Sequence, residues 1–362
     1  MKRVLFLLHL PPPVHGSSMV GQWIKESKII NNNFNARYLN LLASKSVDES
    51  GKISVGKLLG MIGLILNLIK EIIIHRPQQV YFALTTTGFA FYRDCVLVFL
   101  IKLFRINIIY HLHNKGVKKA SESPINHWLY QKVFRNTKVI LLSQYLYDDI
   151  ENFVSQEQIR ICPNGVPEIK ELKSEDLERK NEIPQILFLS NLIESKGVYI
   201  LLSALEILKN RDLKFEAIFV GGEGDISKEE FEKKVTALNL SKHVKYLGKK
   251  YGKEKEYIYK NANLFIFPTY QDCFPLVLLE AMQFSLPIIS SSEGGIPDIV
   301  YDGENGIIVP QKDFLELSLA IEKLILNPKT SMEMGKKGRI KFLNKYILDK
   351  FEINLMNIIQ KT

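Results

Sequence analysis

Two carboxylates eight positions apart, Asp272 and Glu280, are the residues of this 362-residue chain whose types and spacing most directly suggest chemistry. They lie in NLFIFPTYQDCFPLVLLEAMQFSLPIISSSEGGIPDIV, residues 263–300. Leu264 to Phe267 is a short apolar run ending at Pro268 and reads as a buried parallel strand. Thr269 to Cys273 is a polar loop. Pro275 sits where a first helical turn tolerates a missing N–H, Leu276 to Phe284 reads as a helix, and Leu286 to Ser291 as the next strand. A strand, a loop and a helix start bring free N–H groups and the positive end of a helix to one place, which suits an anion. Glu280, between Leu278, Leu279, Ala281 and Met282, needs a partner, either a ligand hydroxyl or a basic side chain. Asp272 either meets a ligand or caps the helix. Paired carboxylates also admit glycoside hydrolysis, but these two fall in different local structures, and phosphate-type loops have no use in that reaction.

Three more stretches carry chemistry. Lys196-Gly197 follows the loop after the Ile186–Ser190 strand and reads as a helix start running to Asn210. A fixed cation beside free N–H groups suits a diphosphate. Lys2 to Leu10 is an apolar strand running into Pro11-Pro12-Pro13 and His15-Gly16-Ser17-Ser18, then a helix from Met19. Gly16 and Ser17 stand where a backbone can approach a ligand, or form a simple tight turn; GxGxxG is absent. The strand Ile106 to Leu112 ends at His111, His113, Asn114 and Gly116. Alternation puts both histidines on one face, and ligands bind at the carboxyl ends of strands in open parallel sheets. His113, beginning the loop, is the stronger ligand candidate; His111 reads as structural. A metal held by the pair lacks a third ligand.

The 263–300 segment resembles the signature of retaining glycosyltransferases of the GT-B fold, specifically glycosyltransferase family 4 (group 1). The match runs through Pro268, Asp272, Glu280-Ala281-Met282, Leu286-Pro287-Ile288-Ile289 and Gly294-Gly295-Ile296-Pro297-Asp298-Ile299-Val300. There are two departures: Asp272 stands where the family usually has Glu, and Asn191 where it usually has Arg. The likeness is strong from Ile186 to Val309 and weaker before Gly165. It implies an α/β protein of GT-B type, two Rossmann-like domains with parallel sheets facing across a cleft. Residues 1–166 would form the acceptor side, 167–184 a polar linker and 185–340 the nucleotide-sugar domain, with 341–362 crossing back as a C-terminal helix. It also implies transfer of a hexosyl or N-acetylhexosaminyl group, with retention, from a nucleotide diphosphate sugar to a hydroxyl. A UDP-sugar is favoured over a GDP-sugar, and no metal or other cofactor is expected. Carried over residue by residue, Glu280 would bind the ribose hydroxyls, and Asp272 and His113 the transferred sugar. Gly16, Ser17, Asn191, Lys196 and the N–H groups near Phe274 and Leu276 would face the diphosphate. A GT-B epimerase acting on the same donor and a non-catalytic sugar-nucleotide or membrane-surface binder are the rival readings.

The elements that must position these groups fit a chain long enough for two ordinary domains. Residues 1–165 hold 20 Lys and Arg against 10 Asp and Glu, so the whole +9 net charge and more lies in the N-terminal half. That asymmetry suggests an anionic membrane surface or a polyanion; no nucleic-acid recognition motif is present. Lys57 to His75 reads as a helix with apolar and basic faces, either core or interfacial. The longest apolar window, Leu58 to Ile69, is shorter than a membrane span. The three cysteines, Cys95, Cys162 and Cys273, are far apart and read as reduced thiols. The expected setting is cytoplasmic, peripheral on the inner face of a membrane. The acceptor is a lipid-linked oligosaccharide of a surface polysaccharide pathway or a soluble hydroxyl compound.

Overall fold

The computed structural model describes residues 1–41, 55–172 and 181–362. They form two compact units, Met1–Asn164 with Asp349–Thr362, and Gly165–Leu348. The linker expected at 167–184 lies partly outside the described residues, at 173–180.

In the first unit β1 (Lys2–Leu8), β2 (Phe34–Asn40), β3 (Gln79–Phe82), β4 (Asn107–Leu112), β5 (Lys138–Leu141) and β6 (Ile159–Ile161) form one parallel sheet in the order β2-β1-β3-β4-β5-β6. Val4 to Leu8, Val80 to Phe82 and Val139 to Leu141 are all buried, as a sheet covered by helices on both faces requires. The strand order reverses between β1 and β3, so the loops after these strands open a crevice at the carboxyl edge. The last helix, Leu348–Lys361, is built into this unit: Lys2 Nζ donates to Ile359 O at 2.8 Å, and Gln79 Nε2 to Thr362 Oγ1 at 2.9 Å.

In the second unit β7 (Gln185–Leu189), β8 (Glu216–Val220), β9 (Val244–Tyr246), β10 (Leu264–Phe267), β11 (Ile288–Ser291) and β12 (Gly306–Val309) pair in the order β12-β11-β10-β7-β8-β9. Counted from β7 this is the doubly wound dinucleotide-fold order, and its switch point falls between β7 and β10. The loops after those two strands carry Lys196 and Asp272.

Several local expectations are corrected. Ser143 caps a 3-10 turn, Gln144–Asp149, its Oγ accepting from Tyr145 N at 3.1 Å. The helix expected from Met19 begins at Gly16 and ends at Glu26. Lys196 ends a 3-10 turn, Glu194–Lys196, and the helix starts one residue past Gly197, at Val198. The edge strand β2 is not signalled by an apolar run, because it is buried only in part. The helix Lys57–His75 was expected begins at Val55. Among the described residues no helix is long and apolar enough to cross a membrane.

Candidate functional site

In the second unit the switch point brings the predicted cation and acid together. Lys196 Nζ donates to Asp272 Oδ2 at 2.6 Å and to Gln271 O at 2.8 Å. Gly197 makes this approach possible: at φ 88° it lies in the left-handed region, and a Cβ there would fall 2.3 Å from Pro268 O. Asp272 is not the helix cap. Its Oδ1 accepts from Cys273 N at 2.8 Å, whereas Pro275 occupies the cap position of helix Leu276–Gln283. The Asp272 N–H donates to Glu293 Oε1 at 3.1 Å, and Gln311 Nε2 donates to Glu293 Oε2 at 3.0 Å. Glu293 is buried and was not singled out in the sequence; it follows a strand end, the same signal that marked His113. The ammonium keeps a third N–H and the carboxylate further lone pairs, so the pair can meet a phosphate oxygen and a sugar hydroxyl while still joined.

Glu280 lies one helical turn further on, half-buried. Lys255 Nζ donates to its Oε1 at 2.8 Å and Tyr259 OH to its Oε2 at 2.9 Å. Burial first, and then the Glu280 carboxylate, push the Tyr259 phenol far above its ordinary range, so it stays a donor. Lys255 and Tyr259, from helix Gly252–Asn261, are the partners that the apolar neighbours of Glu280 called for. A carboxylate so held still accepts on its remaining lone pairs. Phe274 is buried, with its ring edge-on to Tyr346 at 6.1 Å, and Leu276 is the first helical residue. Their N–H groups belong to the loop and the first turn, where the helix ladder leaves donors free.

Asn191 has a structural contact beside the role expected of it. Its Oδ1 accepts from Gly222 N at 2.9 Å, bracing the glycine turn that follows β8. There Gly221, at φ 151°, leaves room for Ser190 O, which would stand 1.8 Å from a Cβ. Lys249 lies against the same turn, its Cε 2.1 Å from where a Gly222 Cβ would be.

The carboxyl edge of the first unit carries a cluster of imidazoles beside one buried ion pair, Arg93–Asp94 at 2.7 Å, whose Asp94 Oδ2 accepts from Thr85 N at 2.9 Å. His113 follows β4 as expected. Its ring lies 4.2 Å from that of His111, confirming a shared face. His111 belongs to the core: Tyr81 OH and its Nδ1 are 2.6 Å apart, and Phe351 stacks at 6.4 Å. His15 caps helix Gly16–Glu26, its Nδ1 accepting from Ser18 N at 3.3 Å and lying 3.1 Å from Ser17 Oγ. Gly16 and Ser17 thereby form the first turn. His9, overlooked in the sequence, follows β1, with its ring 6.4 Å from His15 and its Nε2 3.2 Å from Thr85 Oγ1. Burial holds the His113 imidazole down to about 4. Burial together with Arg93, His113 and His15 holds His9 down to about 3. Both are therefore neutral at ordinary pH. The Nδ1 atoms of His9 and His113 are buried and lack a hydrogen-bond partner among the described residues, and such atoms ordinarily have one. The loop after His113 is fixed by Asp149, whose Oδ2 accepts from Gly116 N at 2.8 Å and Val117 N at 3.0 Å. No cluster of three or more His, Cys, Asp or Glu among the described residues could hold a metal ion.

The chain is similar to known proteins. Residues 169–341 match the family model described as glycosyl transferases group 1. An uncharacterized glycosyltransferase of Methanocaldococcus jannaschii is 27% identical over 274 residues, 75% of this chain and 74% of the relative. The capsular polysaccharide biosynthesis glycosyltransferase CapM of Staphylococcus aureus is 26% identical over 236 residues, 60% of each chain. Among solved structures, HepE of Anabaena in complex with UDP superposes over 100% of both chains with a TM-score of 0.77 at 18% identity. Two parallel six-stranded sheets with flanking helices, so matched, are the GT-B fold. Residues 169–341 are thus similar to glycosyl transferases group 1, and the relatives of the chain are named glycosyltransferases.

Proposed function

We propose that the protein transfers a sugar, with retention at the anomeric carbon and without a metal, from a nucleotide diphosphate sugar to a hydroxyl. The observation that carries this reading is the Lys196–Asp272 pair at the switch point of the second sheet, followed one helix on by Glu280. A nucleoside diphosphate leaving group needs fixed positive charge and N–H donors where its charge develops. Lys196 and the N–H groups of the loop at Phe274 and Leu276 supply both. Asp272 takes hydroxyls of the transferred sugar, and Glu280 the ribose hydroxyls. His113, neutral, accepts from or donates to the sugar from the first unit, and Gly16 and Ser17 face the phosphate. The acceptor hydroxyl attacks on the side from which the diphosphate departs. The anomeric carbon–oxygen bond to phosphate breaks, the new glycosidic bond forms, and the hydroxyl proton passes to the leaving phosphate oxygen.

A UDP-sugar is the favoured donor, in keeping with the UDP bound by HepE; the proposed acceptor is lipid-linked, and a place in surface polysaccharide assembly is in keeping with the capsular polysaccharide biosynthesis for which CapM is named. The protein then works in the cytoplasm, peripherally on an anionic membrane. Calorimetric titration with UDP, GDP and ADP, with and without EDTA, tests the donor part. Binding of UDP unaffected by EDTA is the expected outcome; no binding of any of the three overturns the reading and favours a non-catalytic role.

A further inference from the structure

A helix on the outside of a water-soluble unit normally turns charged side chains to solvent. Helix Gly88–Leu103 does not. Apart from Gly88 its exposed residues are Phe89, Tyr92, Val96, Phe99 and Leu103, all apolar or aromatic. The charged groups it carries are turned elsewhere. Asp94 is buried against Arg93 at 2.7 Å, and Lys102 Nζ donates to the carbonyls of Lys132, Val133 and Arg135.

The stripe continues onto two neighbours. Helix Pro124–Phe134 exposes Ile125 and Trp128; Trp128 is 6.5 Å from Phe99, and Tyr92 OH donates to Asn126 Oδ1 at 2.8 Å. Helix Val55–His75 packs beside Gly88–Leu103 and exposes Ile62, Leu66, Ile73 and Ile74. Isolated exposed apolar residues need no explanation, but a contiguous face of this kind does. Its rim is cationic: Lys70, Arg105, Lys132 and Arg135 are exposed, and Lys132 Nζ lies 5.9 Å over the Trp128 ring. Against these four cations the described residues of the three helices and their ends set one exposed carboxylate, Glu122, and one half-buried, Glu71.

We infer that this three-helix face is where the first unit enters an anionic lipid bilayer. Tyr92 and Trp128 have the amphipathic rings that settle at headgroup depth, Phe89, Val96, Phe99 and Leu103 reach the acyl boundary, and the cations meet lipid phosphates. The charge pattern favours lipid over a second copy, since a face ringed by like charge repels itself. The inference rests on the membrane part of the reading above and is independent of the transfer chemistry. It also adds to it: a merely basic unit would bind through charge alone, whereas this face binds through apolar insertion as well.

The test is flotation of the full chain with phosphatidylcholine vesicles containing 30% phosphatidylglycerol. Wild type floats at low salt and keeps a substantial fraction bound at high salt, where screening removes the electrostatic share. In a Trp23→Phe background, Trp128 emission shifts to the blue on binding. Val96→Asp with Phe99→Asp, both at exposed positions, lowers the partition coefficient by at least about tenfold, the scale of losing one buried aromatic side chain. Leu326→Asp, an exposed apolar residue of the second unit, leaves it unchanged. Binding that salt abolishes and the double variant does not alter overturns the inference while leaving an electrostatic membrane contact. Absence of binding overturns both. A dimer dissociated by Val96→Asp in sedimentation assigns the face to a second copy and also overturns it.

Discussion

The carboxyl edges of the two sheets solve the same problem with opposite electrostatics. In the second unit the side chains at the edge are charged and paired: Lys196 with Asp272, Lys255 with Glu280. In the first, beside the buried Arg93–Asp94 pair, stand the imidazoles His9 and His113, held uncharged chiefly by burial. A group that must face a diphosphate needs permanent charge, and a salt-linked lysine retains it. A group that must exchange hydrogen bonds with sugar hydroxyls needs one donor and one acceptor nitrogen, which a neutral imidazole offers and an imidazolium does not. In the proposed reading the contrast is a division of labour between charge and hydrogen bonding, and it can be broken at either edge.

The largest effect is expected at Glu280. Glu280→Ala removes the carboxylate proposed for the ribose hydroxyls and should weaken UDP binding by about 100-fold, near 2.7 kcal/mol. Calorimetry measures it. The same change leaves Lys255 and Tyr259 without their acceptor, so a lower melting temperature is expected too. Lys255→Met separates the two effects: it disturbs the pair but keeps the carboxylate. If Lys255→Met weakens UDP as much as Glu280→Ala, Glu280 is structural and the charged edge has lost its ligand role.

The neutral edge has a pH signature. A histidine depressed to about 4 when folded and titrating near 6.5 when unfolded binds fewer protons in the native state between those values. Stability contributed by its neutral form is therefore full above about pH 6.5 and is lost as pH falls towards 4; for His9 the loss continues to about 3. Each group adds a slope of up to about 1.4 kcal/mol per pH unit. Thermal melting between pH 7 and 4 should fall steeply, and His9→Asn should flatten the curve. A curve unchanged by His9→Asn would mean that His9 titrates alike in the folded and the unfolded chain, and the contrast between the edges would be lost.

How much of this could be read in the sequence follows the same division. The second edge was legible because its parts are local: β10, the loop, helix Leu276–Gln283 and β11 follow one another between Leu264 and Ser291, so spacing alone places Asp272 and Glu280. The partners of Glu280 were not, because Lys255 and Tyr259 come from an earlier helix and meet it only through packing. The first edge gathers His9, Thr85, Asn114 and Asp149 from across more than a hundred residues, and no spacing signals that. His113 was found because it sits at a strand end; His9 sits at one too, but the apolar run of β1 hid it. The apolar outer face of helix Gly88–Leu103 was invisible for a related reason. Phe, Val and Leu occur on both its sides, so the sequence gives no amphipathic pattern from which to tell core from surface.

The smallest effect is expected where sequence and structure assign one residue different work. Asn191 stands where the family resemblance implies a cation on the diphosphate, and its carboxamide oxygen accepts the Gly222 N–H at 2.9 Å. Such a bond contributes about 1 kcal/mol, and leaving the amide without it costs a similar amount. Asn191→Ala should therefore lower stability by about 1 kcal/mol in denaturant unfolding and weaken UDP by no more than about threefold, through loosening of the turn. Lys196→Met, which removes a permanent charge from the edge and leaves Asp272 unpaired, should weaken UDP at least about tenfold. Equal losses in the two variants would make Asn191 a ligand contact rather than a brace, and would show that this edge holds its anion through dipoles as much as through charge.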